Sequence, residues 1–347
     1  MNKRMQFGIT TFAETMTNPK TGHRVDQDNR IRQVVDEIVL ADALGLEFFG
    51  VGEHHREDFA VSAPAIVLAA ASTQTKSITL SSAVSVLSSD DPIRVYQQFA
   101  TINALSKGRA EIMVGRGSFI ESFPLFGYDL KHYDDLFEEK LDLLINARDH
   151  AVVTHRGTHR PSINARGVYP RTKYALPISV AVGGTPASVE RAATRGLPLF
   201  LAIIGGDPLR FKPLVDLYKK RYIAAGHPKA SMQISVHVHG YVDLDHKKAV
   251  EDYFPSIEPA MTAIGKERGW GPYTETTYHQ AIAPDGSLFV GSPDRVAEKA
   301  LRLVKGLEID RLALHVPVGP MPHGDVMRTI RLFATEVKPR VLKALEA

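Results

Sequence analysis

The sequence predicts an α/β protein folded as a closed eight-stranded (β/α) TIM barrel with insertions. Three observations lead there. Eight short apolar runs alternate with helical stretches along the chain, the runs are too continuously apolar for half-exposed strands, and one unit of punctuation recurs between them. A doubly wound open sheet is the alternative architecture, but no G-x-G-x-x-G follows the first strand. A length of 347 residues suits one large barrel or two ordinary domains, and with no low-complexity linker in it 1–347 reads as a single domain with insertions.

The first run, MQFGITTF, leads to a helix with Ile31, Val34, Val35, Ile38 and Leu44 on one face and a stop at Gly45. EFFGVGE is the second strand and ITLSSAVSV the third. Asp91-Pro92 then opens a helix that carries Ile93, Tyr96, Phe99 and Ile102 on one face and stops at Gly108. AEIMVGR is the fourth strand and ISVAVG the fifth, followed by Thr185-Pro186 and a stop at Gly196. LFLAIIG, with Asp207-Pro208 after it, is the sixth, and QISVHVHGYV the seventh. Ser292-Pro293 opens a helix that stops at Gly306, before the eighth run, RLALHVPV. In each pair the side-chain oxygen can cap free backbone N–H groups, while proline at the first helical position loses nothing. The glycines suit left-handed helix ends. Three segments exceed this unit: 118–133, 152–176, and an insertion or lid at about 253–290 that holds the only tryptophan, Trp270.

Composition narrows the function. The 42 Lys and Arg against 39 Asp and Glu leave +3, which argues against nucleic-acid and anionic-membrane partners. No apolar run approaches membrane-spanning length, and the start turns polar before a signal-peptide core forms. Cysteine is absent, which excludes disulfides, thiolate metal sites and a cysteine nucleophile, and fits a cytoplasmic protein.

In such barrels the active site lies where strands end. That places GEHHRED, SSAVS, GRGSF, VGGTPAS and IIGGDP on one surface. VGGTPAS is the best phosphate candidate: Gly183 and Gly184 let an anion approach the backbone, and Thr185 and Ser188 offer hydroxyls at a helix N-terminus. Arg116 could fork onto the same phosphate. The alternative is that Thr185 only caps and Arg116 only pairs with a carboxylate, and the spacing favours neither. The usual barrel phosphate site follows strands seven and eight, so this placement is a departure. His237 and His239, two apart on a strand, share a face. With His54 and Glu53 or Asp325 they sketch a zinc hydrolase, although most of 14 histidines are structural or superficial, and no metal is assigned. Glu53 reads as a loop anchor, and Trp270, Tyr273 and Phe289 as packing for the insertion.

Taken together, GVGEHHRED, LSKGR followed by VGRG and FGYD, and RGLPLF resemble the bacterial-luciferase-like flavin monooxygenases over most of the chain. The resemblance implies a barrel that binds reduced FMN, supplied by a separate reductase, and uses oxygen to oxygenate a small organic substrate, as a homodimer. It implies that Arg116 binds the phosphate with Thr185 and Ser188, and that His54 does acid–base work near the flavin. Ala83 and Val84 would form a bulge, often with a cis peptide, that presses on the flavin ring. Gly115 stands where the light-emitting members place a reactive cysteine, and Gly184 where they carry an acidic residue, so the resemblance extends to the general flavin site rather than to light emission. A deazaflavin-dependent hydride-transfer enzyme and a non-catalytic flavin-binding protein are the alternatives.

Overall fold

The computed structural model describes residues 4–19, 21–117 and 119–347. Eight parallel strands close on themselves: β1 (Gln6–Thr11), β2 (Phe48–Val51), β3 (Thr79–Ser82), β4 (Ala110–Gly115), β5 (Ile178–Val182), β6 (Leu199–Ile203), β7 (Ile234–Val242) and β8 (Arg311–His315). Each pairs with its successor, and β8 pairs back to β1 with Gln6 opposite Arg311 and Thr10 opposite His315. All eight predicted runs are barrel strands. Nearly every strand residue is buried, as strands covered by helices outside and by packed side chains inside must be.

The helices follow the predicted punctuation with informative exceptions. The helix Gln27–Ala43 buries Val34, Ile38 and Ala41, and on the same face Arg30 and Glu37, which pair at 2.6 Å. The helix Pro92–Leu105 buries Tyr96, Phe99 and Ile102, and Asp91 accepts from the N–H groups of Ile93 and Arg94. Asp207 caps a short 3₁₀ turn by accepting from Leu209 N–H. Thr185 and Ser292 occupy cap positions without making a side-chain cap bond. Gly45, Gly108 and Gly196 are left-handed, as predicted, but Gly306 is not. The helix Pro293–Leu307 runs through it and ends on Glu308, which takes φ +54. Gly306 is small for another reason: a Cβ there would lie 2.4 Å from the Leu209 side chain.

The floor of the barrel is polar but closed. Arg311 and Glu111 form a buried ion pair at 3.0 Å, Ser179 donates to Glu111, and the Arg311 guanidinium lies 4.2 Å from the centre of the Phe48 ring. A plug of this kind leaves the opposite end, where the strands finish, as the open end of the barrel.

Of the long segments, 118–133 starts at Ser118, which lies outside the described residues, and continues through a short helix Ser122–Phe126. Segment 152–176 contains an antiparallel hairpin, Val152–His155 with Ile163–Gly167. The third segment belongs to the connection after β7. There a helix His246–Arg268 includes Tyr253 in its interior, a second helix Glu275–Ile282 follows, and Phe289–Gly291 adds a strand beside the end of β7. Tyr253, Tyr278, Leu288 and Val290 pack into a core of their own with Tyr241. Among the described residues no helix is long and apolar enough to cross a membrane.

Candidate functional site

A cavity of about 400 Å³ sits at the open end of the barrel and takes lining residues from the ends of all eight strands. That volume falls in the range of small-molecule and cofactor sites. Its lining is mostly apolar, including Ala83, Val84, Met113, Ala181 and Phe200, with polar groups concentrated on two sides.

One side follows β4 and β5. The helix Pro186–Thr194 begins just behind this wall; Pro186 carries no N–H, and Ser188 N–H already donates to Thr185 O at 3.2 Å. Thr185, free of capping, donates its hydroxyl to Ser188 Oγ at 2.8 Å. Arg116 donates to the same Ser188 Oγ at 3.1 Å, pairs through its other terminal nitrogen with Asp134, and lies 5.0 Å from the centre of the Tyr133 ring. Arg191 also reaches Ser188 Oγ, at 3.3 Å. Gly183 lines the cavity, and a Cβ on it would meet nothing within 4 Å. Gly184 has φ +124, a conformation that L side chains rarely adopt. The sequence-predicted phosphate residues Arg116, Gly183, Gly184, Thr185 and Ser188 are therefore contiguous, with two arginines and a helix N-terminus on one hydroxyl pair.

The next stretch of the wall follows directly on β3. The Ala83–Val84 peptide is cis, and both residues line the cavity. Gly115, on β4, faces them closely enough that a Cβ would lie 2.8 Å from Val84 Cγ2. His54 is buried among Phe12, Phe59 and Phe119, with ring centroids at 4.7, 4.3 and 5.3 Å. Burial in this cage pushes its pKa down to about 3, with His315, His55 and Arg56 adding to the shift. The ring is therefore neutral at ordinary pH. His55 turns the other way and pairs with Glu53 at 2.9 Å, and Glu53 also accepts from Val86 N–H. Thus Glu53 anchors the loop, His55 is held by it, and of the two histidines His54 lines the cavity and His55 does not.

The model of the luciferase-like monooxygenases matches residues 5–309. The chain belongs to this family. Its fold recurs in the monooxygenase RslO1 of Streptomyces bottropensis (TM-score 0.82, 23% identity, 96% of this chain and 99% of that one). It recurs too in the oxygenating constituent of 3,6-diketocamphane monooxygenase from Pseudomonas putida, solved with FMN (0.76, 18%, 97% and 98%). A third likeness is to an F420-dependent secondary alcohol dehydrogenase with an F420–acetone adduct (0.75, 18%, 97% and 99%). The family is one of oxidoreductases, and the fold serves both FMN and F420.

The second polar side of this luciferase-like cavity was only half legible. His237 and His239 share a face of β7, as their spacing predicts, and both are buried at the cavity wall. His315 of β8 stands between them, with ring centroids 4.7 and 5.2 Å away. Thr10 and Glu14, which no motif singled out, complete the group: Thr10 Oγ1 lies 2.9 Å from His237 Nδ1 and 3.1 Å from His315 Nδ1, and His315 Nε2 lies 3.2 Å from Glu14 Oε1. The sketched zinc site does not assemble. Asp325 is held by Arg328, and Glu53 by His55 and Val86. Among the described residues, the one trio of donor atoms drawn within 4.8 Å of one another is His132, Asp135 and His159, away from the cavity.

The helix His246–Arg268 covers the mouth with Ala260, Met261 and Ile264. Glu267 on this helix takes both terminal nitrogens of Arg56, at 2.6 and 3.0 Å, and Arg56 in turn lies over Phe119. Trp270, Tyr273 and Phe289 do not line the cavity: Phe289 and Tyr273 are packed into the cores, as predicted, whereas Trp270 is half exposed with the Arg268 guanidinium 5.2 Å from its ring centre.

Proposed function

We propose that this protein is a flavin-dependent monooxygenase that takes reduced FMN from a separate flavin reductase and uses O2 to oxygenate a small organic substrate. The observation that carries this reading is the join between Arg116, Ser188, Thr185 and the N-terminus of the helix Pro186–Thr194. It offers a dianion two hydroxyls and a guanidinium at the positive end of a helix. The apolar wall of Ala83, Val84, Met113, Ala181 and Phe200 suits a planar ring system at the other end of such a ligand. The residues present thus fit FMN, which when bound supplies the electrons for oxygen activation.

The chain's own residues would bind, shield and handle protons. Arg116, Thr185, Ser188, Gly183 and Gly184 hold the phosphate, with Asp134 yielding Arg116 to it. Ala83 and Val84 support the ring. His54, kept neutral by its aromatic cage, can accept a proton at one ring nitrogen while donating at the other, and so serves as the acid–base residue. The helix His246–Arg268, tied to the β2 loop through Arg56 and Glu267, acts as a lid that keeps water from the reaction. The family resemblance supports a homodimer, and the absence of cysteine fits a cytoplasmic location.

A deazaflavin-dependent hydride transfer is the second reading, favoured by the F420 enzyme that shares this fold over 97% of the chain. One experiment tests both. Anaerobic titration with reduced FMN and with reduced F420 gives the cofactor preference. Rapid mixing of the preferred complex with oxygenated buffer then follows reoxidation. Tight FMN binding with reoxidation slower than that of free flavin is the expected outcome. Preference for F420, or reoxidation at the free-flavin rate, would overturn the proposal in favour of hydride transfer or of a flavin-binding protein without turnover.

A further inference from the structure

Glu14 is a buried carboxyl group that the flavin site does not use. It lines the reaction cavity and also a second cavity of about 450 Å³ on its other side. That second cavity is bounded by Arg30, Gln33 and His323 and by Thr21 and His23, whose exposure opens it to the surface. Inward from Glu14 runs an unbroken series of contacts at hydrogen-bond distance: Glu14 Oε1 to His315 Nε2 (3.2 Å), His315 Nδ1 to Thr10 Oγ1 (3.1 Å), and Thr10 Oγ1 to His237 Nδ1 (2.9 Å). With Nδ1 so engaged, Nε2 of His237 is the nitrogen left for a ligand in the cavity.

We propose that His237, Thr10, His315 and Glu14 form a proton wire joining the reaction cavity to the second, surface-open cavity. Its purpose rests on the reading of the first cavity as a reaction chamber, but its existence does not. The hydrogen-bond directions are fixed by the groups' chemistry. With Glu14 ionised, His315 donates from Nε2 to Glu14 Oε1, Thr10 donates to His315 Nδ1, and His237 donates from Nδ1 to Thr10. A proton arriving at His237 Nε2 displaces the Nδ1 proton onto Thr10 Oγ1. The Thr10 proton then passes to His315 Nδ1, and the Nε2 proton of His315 passes to Glu14 Oε1. One proton enters and one is delivered, no atom changes oxidation state, and both imidazoles finish neutral in the opposite tautomer.

Neutrality throughout matters, because burial pushes the pKa of His315 down to about 3 and that of His237 well below its ordinary value, so a lasting imidazolium is excluded. Glu14 can be the acceptor because burial pushes its own pKa up to about 8, against the pull of the nearby Glu14 and Phe12 backbone N–H groups and of Arg30. The charged and titratable groups that face it are Arg30 and Glu37 from the helix Gln27–Ala43, Tyr253 from the lid helix, and His315. Arg30 and Glu37 pair with each other and act on Glu14 in opposite senses, and His323 contacts Glu37 at 3.3 Å. Glu14 Oε2 is buried without a hydrogen-bond partner. A proton on Oε2 would be an unsatisfied donor, whereas on Oε1 it is bonded to His315, and this bias couples Glu14 protonation to the tautomer reversal.

The test needs no substrate or cofactor. In protein labelled with ¹⁵N-histidine, two-bond ¹⁵N–¹H correlation spectra report the tautomer of each ring across a pH titration. In the wild-type protein His315 and His237 should exchange tautomers together with a midpoint of about pH 8. Glu14→Gln should hold both rings fixed. Thr10→Val should leave the His315 step and abolish that of His237. The proposal is overturned if His237 keeps one tautomer through the titration, or if Thr10→Val leaves its step intact. The Thr10→Val result decides the matter alone should Glu14→Gln fail to fold.

Discussion

Arg116→Ala is the most direct perturbation of the proposed phosphate site. In the free protein Arg116 is divided between Asp134 and Ser188, and the Asp134 carboxylate is largely exposed at 66%. An ion pair with so exposed a partner is worth at most about 1 kcal/mol, so a phosphate displaces it at little cost. The guanidinium–phosphate interaction that replaces it is charge-assisted and worth about 1.5–3 kcal/mol per hydrogen bond. For a fork of two such bonds, with the lost ion pair subtracted, removing Arg116 should cost about 2–5 kcal/mol of FMN binding, or about 30- to 4,000-fold in Kd. The assay is an anaerobic titration of wild-type and variant protein with reduced FMN and, in parallel, reduced riboflavin. Riboflavin has the ring system without the phosphate, so its affinity should change by less than about twofold, and the FMN loss should be confined to the phosphate increment. Arg116→Lys keeps the charge but not the planar fork and should fall between. Equal losses for FMN and riboflavin would mean that Arg116 merely shapes the loop. No loss for FMN would place the phosphate elsewhere.

The buried titratable groups should make stability peak near neutrality. His54, His239 and His315 are pushed down to about 3 and His237 also lies well below its usual value, so the unfolded chain binds protons that the fold refuses. Stability is then full above about pH 6.5 and lost as pH falls toward the folded values, with a limiting slope of about 1.4 kcal/mol per pH unit per histidine. Glu14, raised from 4.5 to about 8, acts in the opposite sense, its contribution being whole below its unfolded value and lost as pH rises through 8. Urea midpoints against pH check both limbs, and His239→Gln should flatten the acid limb by one proton. Glu37→Gln strands the buried Arg30 guanidinium and should cost about 3–5 kcal/mol in urea unfolding, whereas replacing both residues by apolar ones should cost less. Glu267→Ala removes the tie between lid helix and β2 loop; because that pair is partly exposed, the thermal midpoint should hardly move, while reduced FMN should dissociate several-fold faster. An unchanged dissociation rate would rule out a lid role for this helix.

What could be read from the sequence divides along a physical line. The barrel was legible because its signals are local: a run of Phe48, Phe49 and Val51, or a proline after a capping Asp91, acts within a few residues of itself. The phosphate side was legible for the same reason, since Gly183 to Ser188 is one short stretch and Arg116 follows the neighbouring strand. Gly306 misled because glycine is also chosen for close packing, here against Leu209 from a distant connection, and nothing local separates that cause from a helix stop. Glu14 and Thr10 were invisible for a stronger reason. Each is an ordinary residue near an ordinary strand, and its meaning comes from partners far along the chain: His315 lies 301 positions from Glu14, and His237 lies 227 from Thr10. Barrel closure creates that neighbourhood, because the β1–β8 pairing sets Thr10 opposite His315, and the β7–β8 pairing sets His239 opposite the same residue. A motif search sees His237 and His239 as a spaced pair and asks which metal they bind. Once the barrel is closed, the carboxyl and hydroxyl groups that reach them from β1 and the loop beyond it make proton transfer the better question.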